Sequence, residues 1–485
     1  MIANSDIDLG LLTAALSYDN LDNLVTRLAS SMTQAMHFQS TPVLPSSSSS
    51  AVVQLPHYLS ATMLPSYIYK YPTGSETGVF VALDVGGSTL RIAVVKFDPA
   101  VVLKRVILYS TAEMIDFAVR NLDGRSFFLW IASQLHSVVY VAYANNWLSE
   151  QDRILVGLTW SFPLDQISVT TGIIRPMGKG FSQISNDIVG WDLQTVLTRA
   201  CKDSGLEIDL LAVINDSAAT VLSAMQQDQR CKIGLIVGTG VNAGVRVPVT
   251  LVDEEKLSRY SQRDLEDCVE FIMDTELSMF GADILPRTRW DEELDAKNEN
   301  PGFQPFELMV SGRYISEIAR YIIRDTILCF RSTSATPAKL DKEWGLDSLT
   351  MSAVEREIDI QFARQQFLAK HPCKHGRQSL TIEEMKFIKA TFYAVSSRAA
   401  AVVAAGILAL AETVLPPPTT PSDSEEIMVA VTGSIMEKYF GFKQRVQEFL
   451  SLLARRRHKK VVLILAQETG IWGAAVAAAC NAPRK

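Results

Sequence analysis

Two short apolar segments, each ending in a glycine-rich turn, constrain the fold of this chain more than any other feature. Residues 83–89 read Leu-Asp-Val-Gly-Gly-Ser-Thr, and residues 235–240 read Leu-Ile-Val-Gly-Thr-Gly. Both lie among short apolar strands that alternate with helical patterns, which is typical of α/β proteins. The repetition predicts two copies of one fold, each offering a phosphate-binding turn to a shared cleft. Two unrelated hairpin turns are the alternative.

The residue types in these turns suit the binding of anions. Glycine lets backbone N–H groups approach an anion closely, and serine and threonine hydroxyls add further donors. Neither turn is a P-loop, because no Gly-Lys-Ser/Thr sequence follows. Arg91, shortly after the first turn, is a candidate positive charge. The residues predicted to bind phosphate are Gly86, Gly87, Ser88, Thr89, Gly238 and Thr239.

A carboxylate directly follows one of the predicted strands. Residues 210–214 form a short apolar strand, and Asn215 and Asp216 come next. The carboxyl end of a strand is where α/β sheets place their ligands. Asp216 is therefore a candidate general base toward an alcohol. Taken alone, it is better explained as a helix N-cap or turn residue.

Several segments resemble motifs of the eukaryotic hexokinase family, in chain order. Residues 83–91 resemble its first phosphate motif, and residues 234–243 resemble its second. Asn215 and Asp216 resemble its catalytic pair. Residues 431–434, Val-Thr-Gly-Ser, resemble its nucleotide turn. The resemblance adds Asp84, Gly433 and Ser434 to the residues expected to bind the nucleotide.

Two further segments are similar to the sugar-binding signature of that family. Residues 161–166 read Ser-Phe-Pro-Leu-Asp-Gln, and residues 178–181 read Gly-Lys-Gly-Phe. Glu276 and Glu307 fall where the family holds two sugar-binding glutamates. The match continues from about residue 60 to the C-terminus, which chance does not plausibly produce. The resemblance implies that the sugar is bound by Ser161, Lys179, Asn215, Asp216, Asn242, Glu276 and Glu307.

The resemblance implies a fold and a mechanism. The expected fold has two ribonuclease-H-like lobes of the actin-like ATPase class, with ATP and sugar meeting in the cleft between them. Asp216 would take the proton from the sugar 6-hydroxyl, which attacks the γ-phosphoryl group of ATP. Lys179 and Arg91 complete the implied catalytic set. Positioning and electrostatics supply most of the acceleration in phosphoryl transfer. Mg²⁺ would arrive with the nucleotide, and no metal ligands of the protein are expected.

The chain also departs from the usual family pattern. Gly178 stands where threonine is usual, which makes the site roomier beside Lys179. Residues 467–473 read Gln-Glu-Thr-Gly-Ile-Trp-Gly, where an Asp-Gly-Ser-Gly-type loop is usual. Residues 160–163 and 288–291 look most like the fungal branch that phosphorylates N-acetylglucosamine. We therefore expect N-acetylglucosamine as the preferred substrate, because a 2-acetamido group needs more volume than a 2-hydroxyl.

Three other interpretations compete with this one. A glucose or general hexose kinase differs only in sugar preference. A catalytically weak hexokinase-like regulator of nutrient signalling is favoured by the altered turn at 467–473. An actin-like structural ATPase would leave the sugar signature without a role. The presence of Asp216, Lys179, Glu276 and Glu307 favours an enzyme.

Composition excludes several classes of protein. The 485 residues are 48% hydrophobic and carry a net charge of −7. Nucleic-acid binding is not expected, because counterion release needs a basic face. Mean hydropathy is +0.13, but the strongest apolar stretch, residues 399–410, is shorter than the roughly 20 residues of a membrane span. A buried helix is expected there.

The order of the motifs predicts how the chain is divided into domains. Residues 1–60 are expected to be a helix and a serine-rich linker. Residues 61–214, completed by 461–485, would form the small lobe, and residues 215–460 the large lobe. Six cysteines without a Cys-x-x-Cys pair indicate reduced thiols and a cytoplasmic location. The sequence leaves the oligomeric state open.

Overall fold

A computed structural model describes most of the chain. The described residues are 5–14, 16–37, 62–100, 105–177, 181, 184, 187–258, 260–261, 265–266, 268–327, 337, 339–373, 380–415 and 426–483. Two predictions from the sequence fall on other residues. The serine-rich segment at 40–50 and the sugar-binding residue Lys179, with Gly178 before it, lie outside the described residues.

The strands follow the apolar runs of the sequence. In chain order they are β1 Leu64–Pro65, β2 Gly78–Val85, β3 Thr89–Phe97, β4 Arg105–Met114, β5 Ile154–Trp160, β6 Leu164–Gln166, β7 Gly172–Ile174, β8 Ile208–Ile214, β9 Cys231–Val237, β10 Val241–Pro248, β11 Glu270–Asp274, β12 Glu426–Thr432 and β13 Lys460–Leu465. The strand predicted at residues 210–214 is part of β8, and the two apolar segments before the glycine turns are the ends of β2 and β9.

Several of the described helices begin at a capping side chain. They are α1 Ser5–Ala14, α2 Tyr18–Met36, α3 Phe117–Arg120, α4 Gly124–Ala144, α5 Leu193–Asp203, α6 Asp216–Met225, α7 Arg289–Ala296, α8 Pro305–Val310, α9 Gly312–Thr326, α10 Ser348–Arg356, α11 Ile360–Lys370, α12 Ile382–Val414, α13 Ser434–Lys438, α14 Phe442–Arg456 and α15 Thr469–Asn481. For example, Thr381 and Glu384 form a capping box at the start of α12.

The two large sheets share one pattern of strand order when the short strand β1 is left out. In this pattern β2, β3, β4, β5 and β8 correspond to β9, β10, β11, β12 and β13. One sheet has the order β4-β3-β2-β5-β8, and the other has the order β1-β11-β10-β9-β12-β13. In the first, β2, β3 and β4 are antiparallel neighbours, while β2, β5 and β8 run parallel. In the second, β10 and β11 are antiparallel and β12 and β13 are parallel. The predicted duplication is therefore confirmed at the level of strand order.

Contact density divides the chain into two units. The first unit contains residues 64–234, 244–274 and 466–485, and the second contains residues 1–63, 235–243 and 275–465. The boundary predicted at residue 214 differs from this division. Helix α6 belongs with the first unit because it packs tightly on α15, where a Cβ at Gly473 would lie 2.4 Å from Ala219 Cα.

The sheet of the first unit has helices on both faces. Alternate residues of β2, such as Val81 and Leu83, share a hydrophobic cluster with Phe128 and Leu135 of α4. The opposite face approaches α15 closely, and a Cβ at Gly157 would lie 2.0 Å from the carbonyl oxygen of Ala474. Residue Asp84 lies on this second face. Helix α15 begins at Thr469, within the altered segment 467–473.

The second unit is organised around the long helix α12. Helices α2, α9 and α14 pack against it. Arg457 ties the N-terminal region to this bundle, because it bonds to Asp22 of α2 at 3.0 Å and to Glu412 of α12 at 2.6 Å. The N-terminal segment predicted to be one helix is thus two helices, α1 and α2, and α2 is part of the second unit.

Two of the described helices, α4 and α12, are long and apolar enough by length and composition to cross a membrane. The most apolar window of α12 is completely buried, and 44% of the corresponding window of α4 is buried. Core helices of soluble proteins pass the same test of length and composition. The buried helix expected at 399–410 is confirmed, and it extends over the 33 residues of α12.

Candidate active site

The first phosphate turn is a β-hairpin, as its sequence predicts. The Gly86 N–H donates to the Thr89 carbonyl at 3.1 Å, which closes the turn between β2 and β3. Arg120 donates to the Gly87 carbonyl at 2.9 Å and holds the turn from outside. The predicted phosphate-binding residues therefore lie together where β2 ends and β3 begins: Gly86, Gly87, Ser88 and Thr89.

Arg91 and Asp84 pair across this hairpin. They are opposite each other in the β2–β3 register, and Arg91 Nη1 donates to Asp84 Oδ2 at 3.0 Å. The Arg91 side chain is 52% exposed, so its charge remains accessible to an anion. The positive charge of Arg91 thus lies beside the turn, as predicted, and its guanidinium is positioned by the ion pair with Asp84.

Asp84 is an unusual carboxylate because it is 8% exposed. Burial raises its pKa to about 6; the nearby Arg91 lowers that pKa, and the charge of Asp216 raises it. Gly470 at the start of α15 leaves room for this carboxylate, since a Cβ there would lie 2.4 Å from Asp84 Cγ. A buried carboxylate with one cationic partner is a suitable ligand for the Mg²⁺ of a nucleotide, directly or through water. The residue types present therefore fit a nucleotide with its Mg²⁺ at Asp84, whereas the sequence predicted Asp84 as a nucleotide-binding residue and no metal ligand of the protein.

The raised pKa of Asp84 predicts a stability effect. The folded state keeps the proton to about pH 6, whereas an ordinary aspartate loses it near 3.8. Because the folded state binds more protons between these values, the contribution of Asp84 to stability falls as pH rises through them. At pH 7 the ionised carboxyl costs up to about 3 kcal/mol. We expect Asp84→Asn to increase the free energy of unfolding at pH 7 and to lower activity.

Urea unfolding at pH 4.5 and pH 7 measures this effect. The variant should gain stability relative to the wild-type protein at pH 7 and gain less at pH 4.5. Asp209→Asn is the control, because the Asp209 side chain is 37% exposed in the same sheet. An equal difference between wild type and Asp84→Asn at both pH values would contradict the assignment of a raised pKa.

The predicted catalytic pair, Asn215 and Asp216, lies where β8 ends and α6 begins. Asn215 is the N-cap of α6, and its Oδ1 accepts from the Ala218 N–H at 2.8 Å. Its Nδ2 donates to Asp274 Oδ2, and Ser217 Oγ donates to the other oxygen of Asp274 at 3.1 Å. Asp216 is the first residue of the helix, next to this anchored side chain. The N-cap role that competes with catalysis in the sequence therefore belongs to Asn215 and not to Asp216.

Ser161 follows β5 at the same edge of this sheet. Its N–H donates to the Val85 carbonyl at 3.1 Å, which fixes the backbone beside the first phosphate turn. Phe162 packs edge-on against Phe181, with ring centroids 4.9 Å apart. The residue Phe181 thus anchors the end of the Gly-Lys-Gly-Phe signature, although Lys179 itself lies outside the described residues.

Two glycines from other segments of the second unit, Gly312 and Gly433, pack against the second phosphate turn at Gly238. The Gly312 N–H donates to the Gly238 carbonyl at 2.8 Å. Gly433 has a φ of 101°, and a Cβ there would lie 2.5 Å from the Val237 carbonyl oxygen. The close approach therefore requires glycine at 433. Gly238 and Ser434 are neighbours, since a Cβ at Gly238 would lie 3.5 Å from the Ser434 N.

A cavity of about 450 Å³ opens beside this turn. This volume is in the range of small-molecule sites. Backbone N–H groups and hydroxyls of the turn supply donors for phosphate, so the cavity fits a nucleotide. Its lining residues are Gly238, Thr239, Gly312, Arg313, Ser316, Trp344, Leu346, Asp347, Ser348 and Ser434. The sequence predicted Gly238, Thr239 and Ser434 of this lining and gave no signal for the others, and the predicted Gly433 packs against Val237 beside the turn.

The predicted sugar-binding residues of the second unit also lie close together. Glu307 Oε2 accepts from the Val241 N–H at 2.9 Å, and a Cβ at Gly240 would lie 2.6 Å from the same oxygen. Asn242 Oδ1 accepts from the Leu277 N–H at 3.3 Å, which places Asn242 next to Glu276. These contacts bring together the polar side chains expected to bind sugar hydroxyls.

Backbone strain marks the same region. Glu276 has a φ of 49° and Gln304 has a φ of 54°, both in the left-handed conformation that non-glycine residues rarely adopt. Gln304 Nε2 donates to Ser278 Oγ at 3.4 Å. Strained non-glycine residues concentrate at binding sites, where the surrounding structure holds them. The sequence carries no local signal for this strain.

Comparison with known proteins identifies the relatives of this chain. Family models described as hexokinase match residues 11–226 and residues 232–480. Hexokinase-7 of Oryza sativa subsp. japonica is 29% identical over 424 residues, which cover 86% of this chain and 87% of that protein. Hexokinase-2 of Candida albicans is 29% identical over 435 residues, which cover 86% of this chain and 84% of that protein.

A solved structure shows the same fold. The hexokinase of Schistosoma mansoni complexed with glucose has a TM-score of 0.78 and 24% sequence identity, with 98% of each chain covered. The predicted fold is therefore confirmed. The matches to the two family models confirm the predicted family.

Proposed function

This chain belongs to the hexokinase family, and from that premise we propose that it transfers the γ-phosphoryl group of ATP to the 6-hydroxyl of a hexose. Hexokinase-family enzymes are phosphotransferases that use ATP and Mg²⁺. The observation that carries the proposal is the anchored pair Asn215–Asp216 beside Asp84 and the first phosphate turn. The carboxylate of Asp216 and the buried carboxylate of Asp84, which is suited to Mg²⁺, lie at one edge of one sheet.

Each group has a distinct task in this proposal. Asp216 accepts the proton of the 6-hydroxyl, and the Asn215 cap fixes the start of the helix on which Asp216 stands. The turn at 86–89 and Arg91 stabilise negative charge on the transferred phosphoryl group. When bound with the nucleotide, Mg²⁺ neutralises phosphate charge, and Asp84 would hold it. Ser161, Asn242, Glu276, Glu307 and Lys179 would bind the sugar hydroxyls.

Purified protein tests this function directly. ATP and sugar should yield ADP and a sugar 6-phosphate, which coupled ADP release and phosphorus NMR detect. No sugar-dependent ADP release with any hexose would overturn the proposal and favour the regulatory alternative, which is supported by the altered turn at 467–473.

We further propose N-acetylglucosamine as the preferred hexose. Gly178 beside Lys179 supports this choice, because a missing side chain leaves volume for a 2-acetamido group. Glucose is the competing substrate, since the matched curated relatives are named hexokinases and the Schistosoma mansoni protein holds glucose. The cytoplasmic location stays a proposal, supported by six cysteines that are scattered along the sequence without a Cys-x-x-Cys pair.

A substrate panel with a matched variant decides between these sugars. We expect kcat/KM to be higher for N-acetylglucosamine than for glucose in the wild-type protein. Gly178→Thr restores the residue usual in the family and should lower kcat/KM for N-acetylglucosamine about 10- to 100-fold, with a smaller change for glucose. A wild-type preference for glucose would refute the proposed selectivity and leave the kinase function intact.

A further inference from the structure

The cavity beside the second phosphate turn has two chemically different sides. The turn side, with Gly238, Gly312 and Ser434, offers backbone and hydroxyl groups. Trp344 is the aromatic member of the described lining, and it is 45% exposed. A single exposed tryptophan needs no explanation by itself. Trp344 does call for an explanation, because it lines the same cavity as the predicted phosphate-binding turn.

The position of Trp344 is held by several contacts. Its backbone has a φ of 58°, and its N–H donates to Glu317 Oε2 at 3.0 Å. Glu317 is itself buried and paired with Arg320, which forms hydrogen bonds to both of its oxygens. The Tyr314 ring meets the indole edge-on, with centroids 5.8 Å apart. The indole is therefore oriented before any ligand arrives.

The Arg313 guanidinium lies over the face of this indole. Its guanidinium carbon lies 4.9 Å from the centroid of the Trp344 ring and 5.6 Å from that of Tyr314. Arg313 also directly follows Gly312, whose N–H binds the phosphate turn. The carboxylate of Asp347 caps α10 by accepting from the Thr350 N–H at 2.7 Å.

We propose that Trp344, with the Arg313 guanidinium layered on it, forms the platform on which the base of the nucleotide stacks. This inference rests on the proposed kinase function and adds a residue that determines base affinity. Aromatic rings and arginine planes both stack on nucleobases, and the strength of stacking grows with the area of the base. A purine should therefore bind better than a pyrimidine.

Titration calorimetry with Mg²⁺ tests the platform without relying on turnover. Wild-type protein is titrated with ATP, CTP and inorganic tripolyphosphate. Trp344→Ala should weaken ATP binding about 10- to 100-fold and leave tripolyphosphate binding within about twofold. Trp344→Phe should keep ATP affinity within about fivefold, because a phenyl ring also stacks. The wild-type preference for ATP over CTP should shrink in Trp344→Ala.

A matched control separates stacking from misfolding. Trp191 is 48% exposed in the first unit, and Trp191→Ala should leave both affinities unchanged. Unchanged ATP affinity in Trp344→Ala, or an equal loss for ATP and tripolyphosphate, would overturn the stacking role while the kinase function stands. Failure of the wild-type protein to bind ATP would overturn both.

Discussion

Asp216→Asn is expected to lower kcat about 100- to 10,000-fold, the range that a general base contributes. Asparagine keeps the shape of the side chain but cannot accept the proton of the sugar 6-hydroxyl. Sugar affinity should change only a few-fold, because an amide still hydrogen-bonds to a hydroxyl. Stability should fall by less than about 1 kcal/mol, since the substitution removes one favourable charge from the start of α6.

Steady-state rates and sugar binding, measured on the same preparation, check this result. A loss confined to kcat, with the affinity for sugar retained, assigns the residue to the chemical step. Asp209→Asn, on the preceding strand β8 and 37% exposed, is the control and should keep wild-type activity. Equal complementation of a deletion strain by the wild-type protein and Asp216→Asn would show that turnover is not its cellular function.

The second large effect concerns stability. Arg398→Met is expected to lower the free energy of unfolding by about 3–5 kcal/mol. Arg398 is 0% exposed, and its two terminal nitrogens each donate to Asp291 at 2.7 Å. The methionine keeps much of the apolar volume but leaves the Asp291 carboxylate buried at 6% exposure without its cation. The loss therefore comes from an uncompensated charge.

Chemical unfolding of Arg398→Met and Lys386→Met measures the difference. Both cations lie on α12, but the Lys386 side chain is 57% exposed and pairs with Glu383 at the surface. Lys386→Met should cost no more than about 1 kcal/mol, as exposed ion pairs do. The double variant Arg398→Met with Asp291→Asn should recover part of the loss. Similar losses in both single variants would refute the role of the buried pair.

Local signals in the sequence predicted much of the candidate site. Glycines and hydroxyls indicated both phosphate turns, and the structure shows that 86–89 is a hairpin closed by a local hydrogen bond. Asn215 and Asp216 follow strand β8, as the apolar segment at residues 210–214 predicted. These features depend on residues a few positions apart, so a short window of sequence contains the cause.

Other features depend on contacts between distant parts of the chain. Asp274, which anchors the amide of Asn215, has no local signal that relates it to that residue. Trp344 faces the cavity of Gly238 only because the intervening helices pack as they do. The domain boundaries also differ from the sequence prediction, since α6 packs on the C-terminal helix α15.

The sequence by itself determined the strands, the two glycine turns, the order of the motifs and the family to which they point. It did so because turn geometry, strand patterning and helix capping act over a few residues. Only the tertiary structure decided the ionisation of Asp84, the anchoring of the catalytic pair and the aromatic side of the cavity. Burial and long-range packing set these properties, and they exist only once distant segments have come together.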